Sequence, residues 1–487
     1  MDNSVRVTPD SWQRLFSPAT IAVIGASNTM GSWGNNAMRG LLNVKSRRIY
    51  PVNPGSTEVV GIKTYRSVMD IPDTIDLAVI VVAETIVPNV MRECVAKGVK
   101  TAIIITSGFG EMGEEGQRLE REVADIAREG GIHFIGPNSM GHADTGTQLS
   151  TFGQFGKMPK GEVAVLAQSG STCLKIVRSL AEAGIALSKY VSTGNEADLL
   201  TEDYLEYLAD DEDTKIIALY LEGLRDGRRF FNLAKKITPR KPIVVVKVGG
   251  TEESARAVMS HTGALAGADA VYSAAFKQSG VIRVEDDDEL CDVVYALLNS
   301  PLPRGNRTGI LSIGGGPGAS AAEACEKEGL AIGRLEPATI TRLDGLLSSR
   351  WPRRNPVDMA GPSAAEMSVV TNLLAVMMED NNLDFIFLLA PIIMDKSLLA
   401  GRLGLKPEAV KTYRAREEKN IVLIREKVEQ YEKPVVMMWQ WRGFSDPEVT
   451  ALFRRGKFIV CANARRAARV MHYLVWYRRY LDVVAGK

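Results

Sequence analysis

Short apolar runs, each followed by a small-residue turn and a helical stretch, recur along this chain and set its fold class. Within the first 145 residues they are Ile21-Ala22-Val23-Ile24, Ile49-Tyr50-Pro51-Val52, Leu77 to Val82, Thr101 to Ile105 and His133-Phe134-Ile135. Runs without polar alternation belong to strands buried on both faces, and the intervening helices supply the cover. The prediction is an α/β, Rossmann-like domain over residues 1–145, with a helix near Asn35 to Leu42 after the first strand.

The rest of the chain reads as an internal repeat. One copy opens at Gly161 to Leu166 and the other at Thr308 to Ile313. Each has a small-residue turn, a helix, an apolar strand (Ile216 to Tyr220; Phe385 to Leu389) and a strand that starts Lys-Pro (Lys241-Pro242; Lys433-Pro434). Each closes on a phenylalanine, a strand and a long helix. The copies predict domains over residues 146–300 and 301–487, with Ser300 to Arg307 as linker. From Gly250 to Phe276 the first copy carries about sixteen residues more than the second has from Gly443 to Phe453. That insertion holds Ser260-His261-Thr262-Gly263-Ala264-Leu265-Ala266-Gly267. A loop grafted onto a duplicated scaffold is a usual place for function.

Only four histidines occur in 487 residues, and His261 alone stands in a loop of small residues. Imidazole is a nucleophile and base near neutral pH, so chemistry at His261 is the expectation, with His133, His142 and His472 structural. No second His or Cys lies at ligand spacing from His261, so no metal site is expected. A net charge of +1 argues against a broad nucleic-acid surface. Five scattered cysteines without a CxxC pair fit reduced thiols in a cytoplasmic protein, and no apolar run is long enough for a membrane span.

Three strand-to-helix turns offer backbone N–H groups to an anion. The first, Gly25 to Gly34, places Ser27 at the second glycine position of GxGxxG. The second strand ends in Asn53 rather than the carboxylate that would hold an NAD ribose, which weighs against a dehydrogenase. A nucleotide-bearing cofactor other than NAD is expected there. The other turns are Ser169-Gly170-Ser171-Thr172 and Gly314-Gly315-Gly316-Pro317-Gly318; each can hold phosphate or can merely let strand and helix pack closely. Glu222 ends an apolar strand, where it either orients an imidazole or sits as a solvated rim residue.

In these residues the chain resembles the ADP-forming (nucleoside-diphosphate-forming) acyl-CoA synthetases, relatives of succinyl-CoA synthetase. The likeness runs through SPATIAVIGAS, YPVNP, GPNSMG, AQSGS, STGNEAD, SHTGALAGADAVYSAAFKQSGVIRV, GGGPGASAAEACEKEGL and RNPVDM, in order and spacing. It implies an α subunit: a Rossmann-like CoA-binding domain followed by two flavodoxin-like ligase domains. The implied reaction interconverts acyl-CoA, ADP and phosphate with a small carboxylic acid, CoA and ATP through an acyl phosphate and a phosphohistidine. By this resemblance His261 is the phosphate carrier and Glu222 its orienting carboxylate. Ser169, Gly170 and Ser171 hold phosphate, as do Gly315, Gly316 and Gly318. Gly25, Ser27, Gly31, Asn53, Val82, Ser107 and Asn138 fall where the family contacts CoA, while Gly55 stands where members often have lysine. ADP or ATP with Mg2+ is implied to bind a separate ATP-grasp β subunit in an α2β2 heterotetramer. The contrasting readings are a non-catalytic CoA- or acyl-CoA-binding regulatory protein and, third, a Rossmann dehydrogenase.

Overall fold

A computed structural model describes residues 7–43, 47–153, 157–254, 256, 269–359, 367–389, 400–401, 404–438 and 447–486. The chain forms two compact units, Met1–Leu290 and Cys291–Lys487.

In the first unit, β1 (Thr20–Ile24) and β2 (Arg48–Val52) precede a small antiparallel hairpin of β3 (Glu58–Val59) and β4 (Ile62–Lys63). Next come β5 (Leu77–Ile80), β6 (Thr101–Ile104) and β7 (His133–Ile135). The order β2-β1-β5-β6-β7 is wholly parallel, as uninterrupted apolar runs require. The helix expected near Asn35 spans Trp33–Leu41, with Ser32 as its cap.

A second sheet in this unit contains β8 (His142–Asp144), β9 (Leu149–Ser150), β10 (Val163–Ala167), β11 (Leu187–Ser192), β12 (Ile216–Leu221), β13 (Ile243–Lys247) and β14 (Ile282–Val284). Its order is β14-β13-β12-β10-β11-β8-β9. The antiparallel pair β8–β9 is absent from the sequence reading, because strands of three and two residues leave no periodicity to detect. The two sheets share one buried core in which the helix Pro9–Phe16 is the wedge: Trp12 lies 5.5 Å from the Tyr204 ring and 4.8 Å from that of Tyr207.

The second unit carries β15 (Arg307–Ser312), β16 (Ala331–Ile332), β17 (Val357–Asp358), β18 (Phe385–Leu389), β19 (Val435–Met438) and β20 (Ile459–Cys461). Its order β16-β15-β18-β19-β20, with β17 added on β15, reproduces β11-β10-β12-β13-β14 strand for strand. The repeat read from the sequence is therefore a repeat of topology. All three sheets place their second strand on one side of the first and their third on the other. Helices then diverge at the carboxyl end of the first strand and leave a crevice there. Those three crevices fall at Gly25, Ser169 and Gly314, the three turns singled out in the sequence.

Among the described residues no helix is long and apolar enough to cross a membrane. All five cysteines are free and buried.

Candidate active site

The carboxyl edge of the first sheet is built around a backbone-to-backbone approach. Gly25 follows β1 with φ +93°, and a Cβ on it would lie 2.1 Å from the Val81 carbonyl oxygen. A Cβ on Gly34, in the first turn of the next helix, would lie 2.1 Å from the Gly25 carbonyl oxygen. Glycine at both positions lets turn, strand and helix start close together, leaving the N–H groups of the turn near the helix N-terminus. Asn53 closes the crevice from β2: its amide donates to the Ala26 carbonyl at 2.8 Å and accepts from Gly55 N–H at 2.8 Å. Val82 follows β5 and takes a hydrogen bond from Thr106 on its carbonyl. Ser107 follows β6 and is exposed, and Asn138 follows β7 in a left-handed conformation. Gly25, Ser27, Asn53, Val82, Ser107 and Asn138 thus line one edge of one sheet, while Gly31 lies further along the turn with open space where a side chain would be.

In the neighbouring sheet, Ser169 caps the helix Gly170–Glu182, and its Oγ accepts from Thr172 Oγ1 at 3.0 Å. Gly170 is small for packing, since a Cβ there would meet Met140 Cγ at 2.4 Å. Glu222 stands directly after β12 and is 5% exposed, so the solvated-rim alternative does not describe it. The loop that carries it is tied down residue by residue. Gln168 Oε1 accepts from the N–H groups of Glu222 and Gly223, and its Nε2 donates to the Gly223 carbonyl. Leu224 N–H donates to Tyr272 Oη, Arg225 Nη2 to the Asn195 carbonyl, and Asp226 N–H to Glu202 Oε1. Lys247 Nζ donates to the Glu222 carbonyl at 2.8 Å. Gln168, Tyr272 and Lys247 were not picked out as site residues in the sequence. The one available signal was a lysine ending an otherwise apolar strand, Ile-Val-Val-Val-Lys.

Beneath this loop two carboxyls are buried together. Glu196 accepts from Thr201 Oγ1 at 2.6 Å, and Glu202 is fully buried. Burial, then the neighbouring Glu196, raises the Glu202 pKa to about 7. An acid whose folded pKa is raised contributes its full stability below the unfolded value and loses it as pH rises through the folded one. Glu202→Gln, uncharged throughout, should therefore gain about 1–3 kcal/mol over the parent between pH 5 and pH 8. Denaturant unfolding at the two pH values checks this; a pH-independent difference would refute it.

The segment Gly194 to Leu199 joins the two sheets of the first unit. Asn195, Ala197 and Leu199 donate main-chain N–H groups to the carbonyls of Pro137, Gly136 and Phe134. Gly194 has φ +64°, and a Cβ on it would lie 2.2 Å from the Pro137 carbonyl oxygen. Asn195 Nδ2 adds hydrogen bonds to Glu111 at 2.6 Å and Glu120 at 2.8 Å.

In the second unit Gly314 caps the helix Gly315–Lys327, which starts directly after β15. Gly316 faces open space, whereas Gly318 packs on Ser312 and Pro356, and Asp358 Oδ2 lies 3.4 Å from where a Gly315 Cβ would be. His261 lies outside the described residues. The other three histidines are engaged with their surroundings. His142 is fully buried, donates from Nε2 to the Leu15 carbonyl at 2.7 Å, and is pushed down to about 4 by burial. His133 pairs with Asp198, and His472 donates to the Glu328 carbonyl. Among the described residues no group of His, Cys, Asp or Glu is arranged to hold a metal ion.

Two family models match this chain: a CoA binding domain over residues 19–144 and a succinyl-CoA ligase like flavodoxin domain over residues 160–297. The α subunit of an ADP-forming acetate–CoA ligase II from Pyrococcus furiosus is 44% identical over 373 residues, covering 76% of this chain and 80% of that protein. The ADP-forming acetate–CoA ligase I of Archaeoglobus fulgidus is 41% identical, covering 77% of this chain but 54% of the longer relative. A structure of Candidatus Korarchaeum cryptofilum "dinucleotide forming" acetyl-coenzyme A synthetase 1 with phosphate and ADP superposes with a TM-score of 0.82 at 29% identity. It covers 98% of this chain and 99% of that one.

Proposed function

The chain belongs to the family of ADP-forming acetate–CoA ligases, where it matches the α subunits, and from that premise we propose that it interconverts acyl-CoA, ADP and phosphate with carboxylic acid, CoA and ATP. The observation that carries this reading is Glu222, buried and tied at the carboxyl end of β12, with the adjoining Gln168 leading into the Ser169 helix start. A CoA-type edge built on Gly25 stands in the same compact unit.

In this reading residues 1–145 bind CoA, and residues 146–300 and 301–487 form the ligase domains. A phosphate oxygen attacks the thioester carbonyl, the C–S bond breaks, and CoA leaves as its thiol with an acyl phosphate formed. One ring nitrogen of His261 then attacks phosphorus, and the carboxylic acid leaves as its carboxylate. Glu222 accepts the N–H of the other ring nitrogen, which fixes the tautomer and stabilises the cationic ring. The N–H groups beginning the Ser169 helix receive phosphoryl oxygens, and no proton transfer is required of them. His261 afterwards gives the phosphoryl group to ADP.

We assign nucleotide and Mg2+ to an ATP-grasp β subunit in an α2β2 assembly. The α-subunit naming of the relatives supports a separate partner, and the longer Archaeoglobus protein carries a further region in the same chain. A purely regulatory CoA-binding role is disfavoured by retention of Glu222 and by the ligase activity named for the relatives.

The test combines the chain with an ATP-grasp subunit already shown to be active with another α subunit, then adds acetyl-CoA, ADP, Mg2+ and phosphate. One ATP should appear per thiol released, and neither should appear without phosphate. CoA binding without thiol release in that mixture would rule the ligase assignment out.

A further inference from the structure

We propose that Lys247 is a positioning residue for Glu222, holding its main chain and supplying the positive charge that keeps its carboxyl ionised. The proposal rests on the reading that Glu222 orients a phosphate-accepting imidazole.

Strand β13 is buried along its length, yet it ends in lysine, and Lys247 is only 7% exposed. Its ammonium has three N–H directions, and the structure occupies all three. Two go to the carbonyls of Glu222, at 2.8 Å, and Val248. The third faces the ring of Tyr272, whose centroid lies 4.5 Å from Nζ. Such a lysine is not presented to a ligand; it is a fixed internal cation spanning the ends of β12 and β13 and the helix Asp269–Ser279.

The charged and titratable groups that face it come from three elements. Facing it are Glu222 from β12, Arg283 from β14, and Asp269 and Tyr272 from the helix. Arg283 is already matched by Asp269 through two hydrogen bonds of 2.6 and 3.0 Å. Lys247 is held at the Glu222 carbonyl, which places its charge within reach of the Glu222 carboxyl. A buried cation and anion stabilise each other's charged forms far more than an exposed pair does. Burial and then Arg283 lower the Lys247 pKa to about 8, partly countered by Asp269 and Glu222, so its charge is itself lost in mild alkali.

The measurement is the rate of phosphoryl labelling of the chain by γ-labelled ATP and Mg2+, in the complex with the ATP-grasp subunit, from pH 4.5 to 9.5. Lys247→Met should slow labelling about tenfold at neutral pH with the KM for ATP unchanged, as loss of an outer-shell partner does elsewhere. Its acid limb should move up by about one pH unit, because Glu222 then ionises less readily. Lys247→Arg should keep the acid limb and carry the alkaline limb above that of the parent, since guanidinium stays charged. An acid limb unmoved in Lys247→Met overturns the proposal whatever the rate. If that variant fails to fold, an unmoved alkaline limb in Lys247→Arg overturns it instead. Label persisting in His261→Ala would bring down the underlying reading. Label lost in His261→Ala with both limbs unmoved would bring down this proposal alone.

Discussion

Replacing His261 by alanine should abolish the acid-labile, base-stable phosphoryl label on the chain and lower acyl-CoA synthesis by on the order of 10^4-fold or more. The size of the effect follows from the chemistry. In the proposed reaction the phosphoryl group leaves the acyl phosphate at one site and reaches ADP on the partner subunit, so removing the carrier breaks the sequence rather than slowing one step. No other histidine can stand in. His142 is sealed in the core as the Nε2–H tautomer, His133 pairs with Asp198, and His472 belongs to the second unit and donates to a carbonyl. CoA should bind the variant as it binds the parent, because the Gly25 edge is built from other elements. Autoradiography after acid and base treatment, with calorimetric CoA titration, gives both results. Undiminished label on the variant would remove His261 from the mechanism.

Gly25→Ala should cost about 3 kcal/mol or more of stability and weaken CoA binding at least tenfold. Two penalties combine. At φ +93° an L side chain is strained, worth roughly 1–2 kcal/mol. The new methyl would also stand 2.1 Å from the Val81 carbonyl oxygen, a main-chain atom directly after the central strand β5 that cannot rotate away. Relief requires the turn to lift off the sheet, which carries Gly34 and the helix N-terminus with it. Gly31→Ala is the matched control: its φ is +81°, but nothing lies within 4 Å of its Cβ position. It should show the strain penalty alone. Thermal unfolding of both variants separates the contributions, and equal losses would show that the close approach to Val81 is unimportant.

The sheets were legible because most of their strands bury apolar residues in unbroken runs, and the repeat because its strand, Lys-Pro and closing-phenylalanine landmarks recur in the same order. What escaped was held by contacts distant in sequence. Strands β8 and β9 exist because β11 offers them a ladder, not because His142 to Ser150 has strand character. Within the site, residue type and strand-end position were enough to single out Glu222. Gln168, Tyr272 and Lys247 were invisible as a group, since each acts through the main chain of the loop after β12, and one-dimensional spacing does not record that loop. Gly170 illustrates the converse: a glycine in a phosphate-type turn whose smallness is required by Met140.

The stitching of Gly194 to Leu199 onto β7 bears on how this protein can be divided. Strand β7 is the last of its sheet, and its outer edge would otherwise present open hydrogen-bonding groups. Three of its neighbouring carbonyls are instead satisfied by a segment that comes from between β11 and β12 of the other sheet. A fragment cut near residue 145 would keep every strand of the first sheet and still expose a sticky border, while leaving β8 without the sheet it joins. Transplanting the CoA-type half into another scaffold therefore calls for the first unit entire. A lineage that reshuffled such parts would be expected to inherit the two sheets together, changing partners only beyond them.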